Sequence, residues 1–323
     1  MKDCIVITGQ TATGKTQAAL NLAHSLHGDI ISADSRQIYK YLDIITGKDC
    51  TSSKFKKVST IKFENSLEGD IGFYELNGVK VWGLDIISPD TIFSAYNYTT
   101  YVNEIINNTI YNINVPIIVG GTYFYIDTLL QQPIAHIPPN LHLRKKLEKF
   151  DLPALQRTLN DVDEEMFSSL NESDRQNPHR LIRKIEIAQY NASHIGSHAE
   201  SQTDTLTSIQ DENTHVKTPL CNVTRWIGYM HSDRTQLEKA ISTRIQKRMS
   251  EGALQEVAEL IKKGYSVKSP GLHTIGYTQL LEYIDGTLTL DEALEKWKFA
   301  EMHYAKRQYT LMKRNSLIQW NIL

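Results

Sequence analysis

The sequence predicts an α/β fold: a parallel sheet flanked by helices and interrupted by an all-helical insertion. Three observations predict it. Gly9-Gln10-Thr11-Ala12-Thr13-Gly14-Lys15-Thr16 is a complete GxxxxGK[ST] loop between an apolar β-type run, Cys4 to Ile7, and a helical pattern beginning at Gln17. That order of strand, loop and helix makes the core P-loop NTPase-like. Strand and helix patterns then alternate as in a doubly wound sheet. From about Pro133 helical patterns follow one another with no strand between them.

In chain order, strands are expected at Cys4 to Thr8, Asp29 to Ser32, Val79 to Asp85 and Val115 to Gly120, with helices at Thr16 to Leu26 and Tyr96 to Asn107. Leu141 to Phe150, Pro153 to Asn160 and Pro178 to Gln189 read as insertion helices. The domain division is therefore 1–132 with 197–323 for the core and 133–196 for the insertion. Ser193 to Pro219 is polar without apolar periodicity, the pattern of a long surface loop or linker. Val223 to Met230 resumes the strands. Leu237 to Lys263 reads as one long amphipathic helix, followed by helices over His273 to Tyr283 and Ala293 to Lys313.

Composition narrows the class. With 323 residues, 41% hydrophobic and 22% charged, the chain is long enough for a large core. It has neither an apolar run of membrane length nor the basic-then-apolar start of a signal peptide, so a cytoplasmic protein without membrane association is expected. Three cysteines, Cys4, Cys50 and Cys221, lie far apart in sequence and predict free thiols and no zinc site. A net charge of −2 does not announce a nucleic-acid partner, although Arg144 to Lys146, Arg180 to Lys184 and Lys306 to Arg314 are local basic clusters.

The loop predicts a phosphate cradle. Its backbone N–H groups and the start of the following helix attract anions, Lys15 neutralises phosphate charge, and the Thr16 hydroxyl suits Mg²⁺. Ligands of such sheets sit beyond the strand C-termini, which directs attention to Asp34 to Tyr39 and Gly120 to Thr122. Asp34, at the tip of a strand taken to neighbour the loop, could serve Mg²⁺ through water, act as a general base, or cap the segment after it. Gln37 offers an amide that could read a base edge. Val115 to Val119 ends in Gly120-Gly121-Thr122 where a motor ATPase would place an Asp for Mg²⁺, which favours group transfer over energy transduction.

Seven blocks in order resemble tRNA dimethylallyltransferases. They are the phosphate loop; Ile31 to Tyr39 continuing through Asp43, Thr46, Gly47 and Lys48; Gly120-Gly121-Thr122 with Tyr125; Arg180 to Glu186; Arg234 to Gly252; Gly276-Tyr277; and Ala305-Lys306-Arg307-Gln308. The resemblance implies transfer of a dimethylallyl group from its diphosphate to N6 of adenosine 37 in tRNA, within a run of adenosines at 36 to 38. In that case Gly9 to Thr16 hold the prenyl diphosphate with Mg²⁺ on Thr16, and Asp34 is the base. Arg248, or Arg244 on the same helix face, stands near the diphosphate, and Thr16 and Arg248 join Asp34 as catalytic. The target base would be flipped out of the anticodon loop. Asp34, Ser35, Arg36, Gln37, Thr122, His179, Arg180, Arg183, Arg244, Lys306, Arg307 and Gln308 are then expected to contact the tRNA anticodon stem-loop, the chain acting as a monomer. Thr278 departs from the basic residue common after the Gly-Tyr pair. No Cys/His zinc module follows, as in bacterial-type members.

Two other readings are open at this stage. One is a small-molecule kinase with ATP in the loop, and the other a nucleotide- or RNA-binding protein without turnover. The Asp34 to Tyr39 block and the basic C-terminal helix argue against the first, and intact Lys15, Thr16 and Asp34 against the second.

Overall fold

The computed structural model describes residues 2–50, 53–63, 66–110, 114–130, 137, 139–195 and 221–323. The chain forms two compact units, Met1–Ile134 with Val216–Leu323, and Ala135–His215. The return to the core, expected at 197, and nearly all of the polar stretch from Ser193 to Pro219 lie outside the described residues.

The larger unit is built on β1 (Lys2–Gly9), β2 (Gly28–Ser32), β3 (Lys56–Lys62), β4 (Glu68–Leu76), β5 (Val79–Trp82), β6 (Val115–Gly120), β7 (Cys221–Met230) and β8 (Gln319–Ile322). They form one sheet in the order β3-β4-β5-β2-β6-β1-β7-β8. It is parallel from β5 to β8, and β3 and β4 add antiparallel strands at one edge. Alternation along β1 sends Cys4 and Val6 into one core and Ile5 and Ile7 into the other, so both faces of the sheet are covered. Helix α1 (Lys15–Leu26) buries Ala19 and Ala23 on the second face. Helices α2 (Ala95–Ile105) and α3 (Tyr123–Leu130) pack on the first, where Tyr98 stacks on Tyr125 at 4.4 Å between ring centres.

The smaller unit contains α4 (Leu141–Leu147), α5 (Leu152–Val162), α6 (Glu164–Ser169), α7 (Glu172–Arg175) and α8 (Pro178–Ile195), with no strand among its described residues. Its core is Leu147, Leu155, Leu159, Leu181 and Ile185. Glu186, 3% exposed, accepts two hydrogen bonds from Arg144 at 2.7 Å, the Asn140 N–H at 2.9 Å and Arg183 at 3.1 Å. Burial alone would raise its pKa, yet these donors hold it below the usual carboxylate range. Arg183 also donates to the Ile137 carbonyl at 2.8 Å. The guanidinium expected on an anticodon loop is thus committed to its own unit.

The remaining helices are α9 (Arg234–Ser250), α10 (Ala253–Lys262), α11 (Tyr277–Ile284) and α12 (Leu290–Met312). Leu237 to Lys263 is therefore two helices where one is expected, because Gly252 turns left-handed (φ 103°) between them. Three strands escape the sequence reading. β3 is Lys-rich and exposed at every position but Ile61, a charged edge without apolar alternation, β4 is its partner, and β8 is a short opposite edge. Conversely, β5 stops at Trp82, short of Asp85, which sits in left-handed backbone (φ 53°).

The cysteine expectation is also corrected. Cys4 and Cys221 are joined in a disulfide, with Cα atoms 5.9 Å apart, although 217 residues separate them. The chain re-enters the sheet as β7 directly beside β1, an adjacency invisible in sequence spacing. Cys50 is free and buried.

Candidate active site

The C-terminal ends of β1, β2, β6 and β7 open on one cavity of about 990 Å³ in the larger unit. Its walls carry Lys15, Lys239, Arg244, Lys247 and Arg248 together with Asp34. β6 lies between β1 and β2. Asp34 is consequently not on the strand next to the loop, as the sequence suggests, and reaches the same cavity from one strand further away.

In the phosphate loop, Gly14 precedes α1 in left-handed backbone (φ 71°), with open space where a side chain would be. Thr13 donates to the Gln10 carbonyl at 2.8 Å, and the Lys15 ammonium donates to that carbonyl as well. Burial lowers the Lys15 pKa to about 7, the positive charge of Arg244 adds to the effect, and Asp34 and Glu301 oppose it. Thr16 is exposed, and its hydroxyl has no hydrogen-bond partner among the described residues. Nor do those residues contain a cluster of His, Cys, Asp or Glu able to hold a metal ion by itself. The donor set therefore fits a hard cation shared between one hydroxyl, ligand phosphate oxygens and water.

The segment after β2 is partly committed to its own architecture. Asp34 Oδ1 accepts the Arg36 N–H at 2.8 Å, so the capping role is present, while Oδ2 carries no hydrogen bond among the described residues. The Ser35 N–H donates to Thr122 Oγ1 at 3.0 Å, and the Thr122 hydroxyl donates to Ser35 Oγ at 3.2 Å. Thr122 is not among the cavity-lining residues. Gln37 accepts from Ser32 at 2.9 Å and donates to the Gly47 carbonyl at 2.9 Å. Its amide is occupied at both ends, and Gln37 lines the cavity. Arg36 is exposed.

Two helices close the cavity. From α9, Arg244 donates to the Thr11 hydroxyl, which places it with the phosphate loop, the position expected of Arg248 or Arg244 beside the diphosphate. Arg248, one turn further, is 5% exposed and stands 3.8 Å from Glu301 of α12. Gln308, expected on the tRNA backbone, is 4% exposed. It accepts the Thr11 N–H at 2.9 Å and donates to the Gly121 carbonyl at 3.0 Å, joining the phosphate loop to the turn after β6. Gln308→Leu would strand both backbone groups, and pyrophosphate binding measured by calorimetry is expected to weaken by about 1–3 kcal/mol.

Lys306 and Arg307, also on α12, are exposed, as are His179 and Arg180 in the smaller unit. Arg180 pairs with Asp174 at 2.5 Å. Sequence reasoning missed three residues of the cavity region. The His231 ring bonds the Ala12 carbonyl at 3.2 Å, and the His231 backbone N–H donates to Gln10 Oε1 at 3.0 Å. Tyr304 lines the cavity, its hydroxyl pushed up to about 12, chiefly by burial and further by Asp34. Glu301 is the partner of Arg248. A signal existed for α12: Trp297, Glu301, Gln308 and Met312 share one buried stripe, and polar residues at core spacing mark a built-in contact. His231 follows its strand with no such pattern.

A phosphate loop, a carboxylate and paired arginines around one cavity mark an α/β protein built to bind a phosphorylated ligand. Residues 71–315 match the family model for IPP transferase and residues 2–67 that for isopentenyl transferase. The chain belongs to this family of tRNA prenyltransferases. It is 30% identical to the tRNA dimethylallyltransferase of Acetivibrio thermocellus over 99% of its own length and 91% of that protein's. Among solved structures it resembles the full-length tRNA isopentenylpyrophosphate transferase of Bacillus halodurans (TM-score 0.63, 25% identity, 100% of this chain and 90% of that one). A eukaryotic dimethylallyltransferase acting on tRNA shares the fold (TM-score 0.73, 21% identity, 100% and 74% coverage). Among the described residues no helix is long and apolar enough to cross a membrane.

Proposed function

We propose that this enzyme transfers the dimethylallyl group of dimethylallyl diphosphate to the exocyclic N6 of adenosine 37 in tRNA, releasing diphosphate. The observation that carries the reading is the single cavity shared by the phosphate loop, Arg244, Arg248 and Asp34. The loop amides, Lys15 and the two arginines bind the diphosphate and stabilise the negative charge that grows on it as the allylic carbon–oxygen bond breaks. The bond to N6 forms at that carbon, the electron pair of the broken bond stays on the departing diphosphate, and the N6 proton passes to Asp34. Thr16 would hold Mg²⁺, which when bound supplies further charge neutralisation at the leaving oxygens.

An adenine stacked in an anticodon loop has to leave the stack to reach Asp34, at a cost of a few kcal/mol. Exposed Lys306 and Arg307 on the larger unit, and His179 and Arg180 on the smaller, are suited to phosphates of the single-stranded loop. That local placement reconciles RNA binding with a net charge of −2.

The test is to incubate the protein with Mg²⁺, dimethylallyl diphosphate and unmodified tRNA carrying adenosines 36 to 38, then digest the RNA and analyse it by mass spectrometry. N6-(dimethylallyl)adenosine at position 37, absent when ATP replaces the prenyl donor, is the expected product. ATP consumption with a small acceptor and no tRNA product would overturn the reading in favour of a kinase.

A further inference from the structure

Behind the arginines, the Asp43–Gly47 turn is held by a carboxylate that is not among the cavity-lining residues. Glu256, on α10 and 8% exposed, accepts the N–H groups of Asp43 at 2.8 Å, Ile44 at 2.6 Å and Ile45 at 3.2 Å. The buried Tyr277 hydroxyl donates to the same carboxylate. Successive N–H groups converging on one anion is the arrangement a helix start favours, with a side chain supplying the anion. The turn then closes through the Gly47 N–H to the Asp43 carbonyl at 3.0 Å.

Gly47 links this turn to the cavity. It is left-handed (φ 68°), and a β-carbon there would lie 2.5 Å from a guanidinium nitrogen of Arg248 and 3.4 Å from one of Arg244. The backbone of the turn is therefore the surface against which both arginines rest. Other contacts brace its far side: Lys48 reaches Asp43 and the Tyr39 carbonyl, each at 2.7 Å, and Gln37 holds the Gly47 carbonyl. The carboxylate of Glu256 alone takes three of the turn's amides.

We infer that Glu256 is a positioning residue for diphosphate binding: by fixing the Asp43–Gly47 turn it sets where the Arg248 and Arg244 guanidiniums stand. The inference rests on the diphosphate reading proposed above. Glutamine at 256 keeps the shape but confronts converging N–H donors with an NH₂ group, so the turn relaxes and the arginines lose their backing.

The test compares full-length Glu256→Gln, Tyr277→Phe, Gly47→Ala and Arg248→Lys with wild type. It measures melting temperature, Mg-pyrophosphate affinity by calorimetry, tRNA affinity, and kcat and KM for the prenyl diphosphate. Glu256→Gln is expected to weaken pyrophosphate binding about tenfold, on the scale of one charge-assisted contact. KM rises in step, and tRNA affinity stays within about twofold because no tRNA group is touched. Gly47→Ala reproduces the loss by striking Arg248 directly. The double variant Glu256→Gln/Arg248→Lys loses less than the product of the two single effects, since both act through one guanidinium. Wild-type pyrophosphate affinity in folded Glu256→Gln overturns the inference. Should that variant fail to fold, Tyr277→Phe decides: a weakening of about threefold, one hydrogen bond's worth, is expected, and unchanged affinity overturns it. If Arg248→Lys weakens pyrophosphate while Glu256→Gln and Tyr277→Phe do not, the inference falls alone. If none of them does, the diphosphate reading falls and the inference with it.

Discussion

Asp34→Asn will lower prenyl-transfer turnover by about 10²–10⁴-fold, the range for loss of a general base, while pyrophosphate and tRNA affinities stay close to wild type. The substitution is nearly isosteric, and an amide oxygen can still accept the Arg36 N–H that Asp34 Oδ1 accepts at 2.8 Å. The turn after β2 should therefore survive. What is lost is the capacity of the second oxygen to take a proton. The N6 amine of adenine is conjugated with its ring and weakly nucleophilic, so bond formation to carbon leaves a proton that must depart, and an amide cannot receive it. Single-turnover assays with enzyme in excess isolate this step from product release. Full turnover in the variant would remove Asp34 from the chemistry and leave it as the cap of the Arg36 turn.

Pyrophosphate will bind more weakly as pH rises from 7 to 9, and its binding will draw a proton from solution. Lys15 has its pKa lowered to about 7, by burial first and by Arg244 second, so above neutrality it is largely uncharged in the free enzyme. A diphosphate prefers the ammonium, and the bound state therefore has the higher pKa. Linkage then requires proton uptake on binding and an affinity that falls by up to about tenfold per pH unit above pH 7, until the pKa of the bound state is reached. Folding responds with the opposite sign. Between about 7 and the unfolded value near 10.4, the unfolded chain binds more protons at this lysine, so its contribution to the stability of the free enzyme grows as pH rises and is lost as pH falls through 7. Calorimetry in two buffers of different ionisation enthalpy counts the proton, and melting curves over the same range read the stability. Lys15→Met should weaken binding by about 100-fold or more, as expected for a buried charge-assisted contact removed from an anion, and should abolish the enzyme's part of the pH dependence. Because the ligand's own titration persists in Lys15→Met, the difference between the proteins is the quantity that decides. Equal proton uptake by both would exclude Lys15 as the group responsible.

Local interactions made much of the fold and the phosphate loop legible. β1, β2 and β6 are near-continuous apolar runs because both faces of the sheet are covered, and the loop's glycines, Lys15 and Thr16 act within a few residues of one another. Where elements depend on distant partners, the sequence is quiet. β3 is an exposed lysine-rich edge that is a strand only because β4 lies beside it. Cys4 and Cys221 become neighbours only when β7 returns next to β1.

The same division runs through the site. Residue types alone determined that the chain holds a phosphate loop, places a carboxylate after its second strand and carries arginines one helical turn apart. Those are properties of short segments, set by backbone geometry and helical period. Only tertiary structure decided which polar side chains remain available to a ligand. Gln37, Thr122, Arg183 and Gln308 each suit RNA by chemical type, and each also meets internal donors or acceptors that brace the protein. Arg244 turns to the phosphate loop, and Glu256 acts from 213 residues away on the amide of Asp43. The physical reason is that a buried polar group must be satisfied wherever it lies, and its partner is fixed by packing in three dimensions, which spacing along the chain does not record.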